Sequence, residues 1–300
     1  MTLPNFLIIG AAKSGTTALY AYLRQHPEIF MSTPKELRYF SYYGPFPKEL
    51  SGEHIHPGVK TLNEYEKYFE GVRGEKIIGE ASPMYLYRPG TAEKIKNLIP
   101  DVKMLAILRN PIDRAYSSYM HAIRDWKEPL KSFKLALEKE QDRIDQGWDI
   151  LWHYKNAGLY AEQLARYYEV FDRDKIKVVL HDDLVSSSET LIEDIFKFLE
   201  VDKNFKPDTR SRPNVSGLPK NTHFHSFMEK LFMQDNPIKN VSRVLFPKSI
   251  RSGFMEKIRR MNLEKRPMPK EIREELVSFY QPDIMNLSKL IQRDLSTWLE

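Results

Sequence analysis

Hydrophobic and polar positions along the chain follow two alternating periods. Residues 6–9, FLII, form a short unbroken apolar run, as a strand buried on both faces requires. Similar short runs occur at 76–80 (KIIGE), 103–108 (KMLAIL) and 175–180 (KIKVVL). Between them the spacing lengthens to that of helices. From Thr16 the apolar positions are Leu19, Tyr22 and Leu23, and Pro27 closes the segment. Pro111 opens a helix carrying Ala115, Tyr119, Ala122 and Ile123. Residues 157–171 predict an amphipathic helix. Another, over 189–199, gathers Leu191, Ile192, Ile195, Phe196 and Leu199 on one face. Strands alternating with helices predict an α/β fold with a central parallel sheet flanked by helices. The last third differs. Residues 201–222 hold three prolines and few apolar residues, and read as an ordered loop. Helical stretches alone are expected after it, ending in 283–299 with Ile284, Leu287, Leu290, Ile291 and Trp298. No linker divides the chain, so a single domain over 1–300 is expected, with a core at about 5–220 and a helical part at about 223–300.

Composition narrows the chemistry. A chain of 300 residues can bury one large core. Its 46 Lys and Arg against 41 Asp and Glu suit an anionic ligand, but are no nucleic-acid signature. The chain has no cysteine, which removes disulfides, thiolate metal sites and cysteine nucleophiles. No apolar run approaches the roughly 20 residues of a membrane span, and no secretion signal precedes the first strand. A cytoplasmic protein without a membrane span is the expectation.

The stretch FLIIGAAKSGTTAL, residues 6–19, joins a strand to a helix through a loop bounded by Gly10 and Gly15. Inward-turned amides and the positive end of a helix make such a loop an anion trap. Ser14, Gly15, Thr16 and Thr17 can bind through amides and hydroxyls, and Lys13 adds charge. The loop departs from G-x-x-x-x-G-K-[ST], because Thr16 stands where the lysine should be. An altered triphosphate loop with Asp182 as a metal partner stays open here, and so does an ordinary strand-to-helix turn. In LRNPIDRAYSSYMH, residues 108–121, Arg109 ends a strand and Ser117 follows about two helical turns on. Such an arginine lies at the ligand edge of an open α/β sheet and suits a phosphate. Alone, it fits a carboxylate bridge equally well.

Together these stretches carry a family resemblance. FLIIGAAKSGTTAL resembles the 5′-phosphosulfate loop of sulfotransferases that use 3′-phosphoadenosine 5′-phosphosulfate (PAPS). RNPIDRAYS resembles their 3′-phosphate motif, and IIGEASPMYLY, residues 77–87, resembles the E-x-[ST]-P-x-Y segment of the heparan-sulfate-type and bacterial branch. The resemblance covers roughly residues 5–220 and implies a P-loop-like three-layer fold. It implies transfer of a sulfuryl group from PAPS to a hydroxyl, leaving adenosine 3′,5′-bisphosphate (PAP), with no metal required. Lys13 would be catalytic and would bind the donor together with Ser14, Gly15, Thr16 and Thr17. Arg109 and Ser117 would hold the 3′-phosphate, and Glu80 would be the base. A late basic loop, with Ser216, Gly217 and Lys220, would close over PAP. His121 and Tyr42 are weaker candidates for the acceptor side. The acceptor could be a small metabolite, a sugar, a lipid or an acyl chain on a carrier protein. A small-molecule kinase with an altered phosphate loop and a non-catalytic nucleotide-binding module are the alternatives. The H-x-H pairs at His54/His56 and His223/His225 lie in polar stretches and read as surface or substrate-edge residues rather than metal ligands.

Overall fold

The computed structural model describes residues 2–41, 58–125, 127–209, 218–219, 263–264 and 267–300. Five strands form one parallel sheet: β1 (Phe6–Gly10), β2 (Ile29–Met31), β3 (Ile77–Ala81), β4 (Lys103–Leu108) and β5 (Ile176–Leu180), in the order β2-β3-β1-β4-β5. β1 is central and wholly buried, which explains its unbroken apolar run. Its side chains alternate between two cores. Leu7 and Ile9 join one, with Ile112, Ala115, Tyr160, Leu164, Leu276 and Tyr280. Phe6 and Ile8 join the other, with Leu19, Leu23, Leu191, Ile195 and Phe196.

The first core is covered by α4 (Pro111–Arg124), α7 (Tyr160–Val170) and α10 (Lys270–Ile291). The second is covered by α1 (Thr16–Leu23) and α9 (Ser188–Leu199). The result is helix, sheet, helix: three layers, as the two periods require. Shorter helices complete the described chain: α2 (Leu62–Lys67), α3 (Thr91–Leu98), α5 (Phe133–Glu138), α6 (Glu140–Asp145) and α8 (His181–Ser186). The connection after β1 runs to β2 on one side, and the connection after its neighbour β4 runs to β5 on the other, so these adjacent strands connect in opposite directions. The crevice at their carboxyl ends is therefore the ligand edge of the sheet.

Four expectations change. The three-residue β2 is too short to stand out in the pattern, so the sheet has five strands where four were legible. The helix expected at 157–171 begins at Tyr160, after a 3-10 turn over Asn156–Gly158. Leu218–Pro219 (β6) pairs antiparallel with Leu263–Glu264 (β7), so the last third is not helical alone. The segment 283–299 is not one helix. α10 starts at Lys270 and runs through Pro282 to Ile291, after which Gln292 adopts φ 53 and a 3-10 turn follows over Ser296–Leu299. Pro282 removes a helix donor, yet Ile272, Leu276 and Tyr280 before it share one buried stripe with Ile284 and Leu287 after it. Burial of that stripe outweighs the missing bond. The neighbouring Asp283 caps α7 by accepting from the amides of Tyr160 (2.8 Å) and Ala161 (3.1 Å).

Candidate active site

The loop after β1 carries two left-handed residues, Lys13 at φ 70 and Gly15 at φ 105. Glycine is needed at 15. A Cβ there would meet Leu184 Cδ2 at 3.0 Å and His181 Cδ2 at 3.3 Å, besides adopting a conformation side chains disfavour. Gly15 is also the N-cap of α1 and offers no side-chain cap, so the first amides of that helix point at the loop. Ser14 is fully buried, and its Oγ lacks a well-formed hydrogen bond, as does the Tyr160 hydroxyl beside it. Two buried hydroxyls that face each other without a well-formed bond, beside helix-end amides, fit an anion that would complete the Ser14 hydroxyl.

Cations converge on the same loop. Arg109, at the end of β4, reaches the Lys13 carbonyl with a guanidinium nitrogen at 3.5 Å. Lys13 is half-buried, and its pKa falls to about 8, first because burial strips water from the amine, then because Arg124 and Arg109 repel its charge. An amine so placed has a deficit of negative charge around it. Arg109 also helps to depress His181, after burial. Thr16 is buried at the first turn of α1, and Thr17 beside it is half-buried.

Ser117 is buried on α4, two turns beyond Arg109. His121, one turn further on, stands among charges. Its Nδ1 lies 2.7 Å from an Arg124 nitrogen and its Nε2 lies 3.6 Å from Asp125 Oδ2. Because Arg124 must donate to Nδ1, the ring proton belongs on Nε2. Burial, then Lys13, depress its pKa to about 3, so the ring is neutral at ordinary pH.

Glu80, on the last turn of β3, is completely enclosed. Tyr85 (2.8 Å) and Tyr65 (3.0 Å) donate to one carboxylate oxygen and Ser82 donates to the other. Tyr39 stacks on Tyr65 with ring centroids 4.4 Å apart, and Phe40 packs edge-on against Tyr65 and Tyr85. Burial raises the carboxyl pKa, and the three hydroxyls oppose that shift only in part.

The structure also brings up residues that the motifs did not mark. The turn after β2 places Lys35 Nζ 3.5 Å from Thr16 Oγ1, and Lys35 binds Glu36 at 2.8 Å. Glu36 and Arg38 are both left-handed, at φ 70 and 58, and Glu36 interacts electrostatically with Lys13. Lys35 and Arg38 outweigh burial and hold the Glu36 carboxyl down at about 2. Arg124 and Asp125 are the other additions. The available signal was the charged run KELR after Pro34, which gains meaning only once Ile29–Met31 is known to be a strand of the sheet. Non-glycine residues in left-handed conformations gather at working sites. Asp182, the metal partner a triphosphate reading would require, instead accepts from the Trp298 indole at 3.1 Å. Among the described residues no group of three or more His, Cys, Asp or Glu is placed to hold a metal ion. Tyr42, Ser216, Gly217, Lys220 and both H-x-H pairs lie outside the described residues.

Known proteins resemble the chain over most of its length. The sulfotransferase domain family matches residues 3–289. A crystal structure of a sulfotransferase from Alicyclobacillus acidocaldarius is 35% identical, with a TM-score of 0.77, and each chain is covered completely. A membrane-associated sulfotransferase of Dictyostelium discoideum is 26% identical over 79% of this chain and 64% of its own length. A bifunctional heparan sulfate N-deacetylase/N-sulfotransferase of Mus musculus is also 26% identical, over 68% of this chain and 23% of its own. The chain thus spans less than two thirds of the length of these two relatives. No helix among the described residues is long and apolar enough to cross a membrane.

Proposed function

Because the chain belongs to the sulfotransferase domain family, we propose that it moves a sulfuryl group from PAPS to an acceptor hydroxyl, leaving PAP and a sulfate ester. The observation that carries this reading is the loop itself. A desolvated Lys13 and a Ser14 Oγ that only the Tyr160 hydroxyl faces, without a well-formed bond, lie at the amide end of α1, where an anion would satisfy both. PAPS supplies a sulfuryl group on a phosphate leaving group, and the fit to this chain is as follows. Lys13, Ser14, Gly15, Thr16 and Thr17 hold the 5′-phosphate side. Arg109 and Ser117 hold the 3′-phosphate. Ser216, Gly217 and Lys220, outside the described residues, are assigned to the nucleotide as well.

In the transfer the acceptor oxygen bonds to sulfur while the bridging sulfur–oxygen bond breaks. The negative charge that grows on the leaving phosphate meets Lys13, whose ammonium is worth more there than in water. Glu80 takes the acceptor proton. Its raised pKa makes it a better base than an exposed carboxylate. Since Glu80 is enclosed, the acceptor hydroxyl replaces one of the tyrosine donors at its carboxylate when it binds. His121 and Tyr42 belong to the acceptor side. The acceptor is a metabolite, sugar, lipid or carrier-bound acyl chain. The whole of 1–300 works as one domain, in the cytoplasm.

Thermal stability in the presence of PAP or ATP–Mg²⁺ tests the reading. At 100 times its dissociation constant a ligand adds about 2.7 kcal/mol. PAP is expected to stabilise and ATP–Mg²⁺ is not. Stabilisation by ATP–Mg²⁺ alone would return the site to a kinase. PAP binding without transfer from labelled PAPS to any acceptor in a metabolite pool would leave a nucleotide-binding module.

A further inference from the structure

Among the described residues, the Arg109 side chain makes one hydrogen bond, a long one of 3.5 Å to the Lys13 carbonyl. Its placement therefore depends on its backbone, and the next residue carries an unusual restraint. Asn110 is 6% exposed and caps α4, its Oδ1 accepting from the Ile112 amide at 3.0 Å. That bond uses the acceptor end of the side-chain amide and leaves the NH₂ to be satisfied in a buried place. The Trp298 carbonyl takes it, at 3.1 Å. The amide can then stand only one way round. Trp298 is itself fixed, 2% exposed, with its indole N–H on Asp182 Oδ2 at 3.1 Å. Asp182 lies in the first turn of α8, directly after β5. A second tie runs nearby, from Arg273 of α10 to Asp113 in the first turn of α4 at 3.0 Å. The segment around Trp298 thus bridges the carboxyl ends of β4 and β5, on the residue that follows Arg109.

We propose that Trp298 and Asn110 form a clamp that positions Arg109, and with it α4, to grip the 3′-phosphate of the nucleotide. The proposal rests on the reading that Arg109 binds that phosphate. Both are positioning residues. Neither touches the nucleotide, and their effect is confined to the part of the affinity that the 3′-phosphate contributes.

PAP and adenosine 5′-monophosphate differ only in the 3′-phosphate, so the dissociation constant of adenosine 5′-monophosphate divided by that of PAP isolates the grip. Calorimetric titration of the full chain with each ligand measures it. Asn110→Asp keeps an oxygen for the Ile112 amide but sets another against the Trp298 carbonyl. The ratio is expected to fall about tenfold, in line with the loss of one buried charge-assisted contact. Trp298→Phe keeps a smaller buried aromatic ring and removes the indole N–H that holds Asp182, and the ratio is expected to fall about threefold. In both variants the affinity for adenosine 5′-monophosphate stays at the wild-type value. If Asn110→Asp does not fold, Trp298→Phe decides. Wild-type ratios in the folded variants, with a collapsed ratio in Arg109→Ala, would overturn the clamp alone. An unchanged ratio in Arg109→Ala would overturn the 3′-phosphate reading and the clamp with it. Equal weakening of both ligands in Asn110→Asp and Trp298→Phe would show general loss of structure and also overturn the clamp.

Discussion

Binding of PAP should draw a proton onto the protein, and the amount should depend on pH in a way set by Lys13. In the free protein the amine titrates at about 8, depressed from 10.5 by burial and by the neighbouring arginines. A bound phosphate supplies the missing negative charge and returns the amine towards its ordinary value. The sign follows: the free state carries fewer protons than the bound state between the two pKa values, so binding takes protons up there. At pH 7 the amine is already about nine-tenths charged and uptake is about 0.1 proton per PAP. At pH 8 uptake is about 0.5, and at pH 9 about 0.9. Calorimetric titrations in two buffers of different ionisation heat, repeated at each pH, measure the number directly. Lys13→Arg is the control, because guanidinium stays charged throughout. The difference between wild type and Lys13→Arg removes contributions from other titrating groups. A flat difference across pH 7–9 would refute the argument that burial and like charge hold this amine ready for an anion.

Other expectations follow from the same geometry. Glu80→Gln should abolish transfer while keeping PAP affinity, and in the wild type kcat/KM should fall on the acid side through a pKa above the usual 4.5, because the base must be unprotonated; full activity in Glu80→Gln would remove the assignment. Arg143→Ala should destabilise by about 3–5 kcal/mol in urea titration. It strands Glu128, which lies buried with two Arg143 contacts of 2.8 Å and the Tyr154 hydroxyl at 2.6 Å. By contrast, Lys139→Ala, which breaks an exposed pair with Asp142, should leave the urea midpoint unmoved. Gly15→Ala should lower stability by about 1–2 kcal/mol for its left-handed backbone alone, and should weaken PAP besides, since the new methyl would press on Leu184 Cδ2 at 3.0 Å and shift the loop.

Much of the framework could be read along the chain. β1, β3, β4 and β5 are short apolar runs because strands buried on both faces need them, and α4 and α9 have a clear apolar stripe. Lys13, Ser14 and Gly15 were legible because an anion loop is local: the strand, the glycines and the helix start lie within a few residues of each other. Arg109 was legible for the same reason, standing at the end of a recognisable strand. What remained hidden depended on segments distant in sequence. Lys35, Glu36 and Arg38 follow a strand of three residues whose pattern is too short to read, and Lys35 meets Thr16, and Glu36 acts on Lys13, only once the chain is folded.

The sequence by itself determined the periods of β1, β3, β4, β5, α4 and α9, the glycine-bounded loop after β1 and the family, because these depend on neighbours a few positions apart. Only the tertiary structure decided which charges face Lys13, that Glu80 is sealed by two tyrosines and a serine, and that Asp182 serves Trp298. Crossover connections put residues tens or hundreds of positions apart within hydrogen-bond reach, and the desolvation that shifts a pKa belongs to the packed whole. No local pattern encodes either.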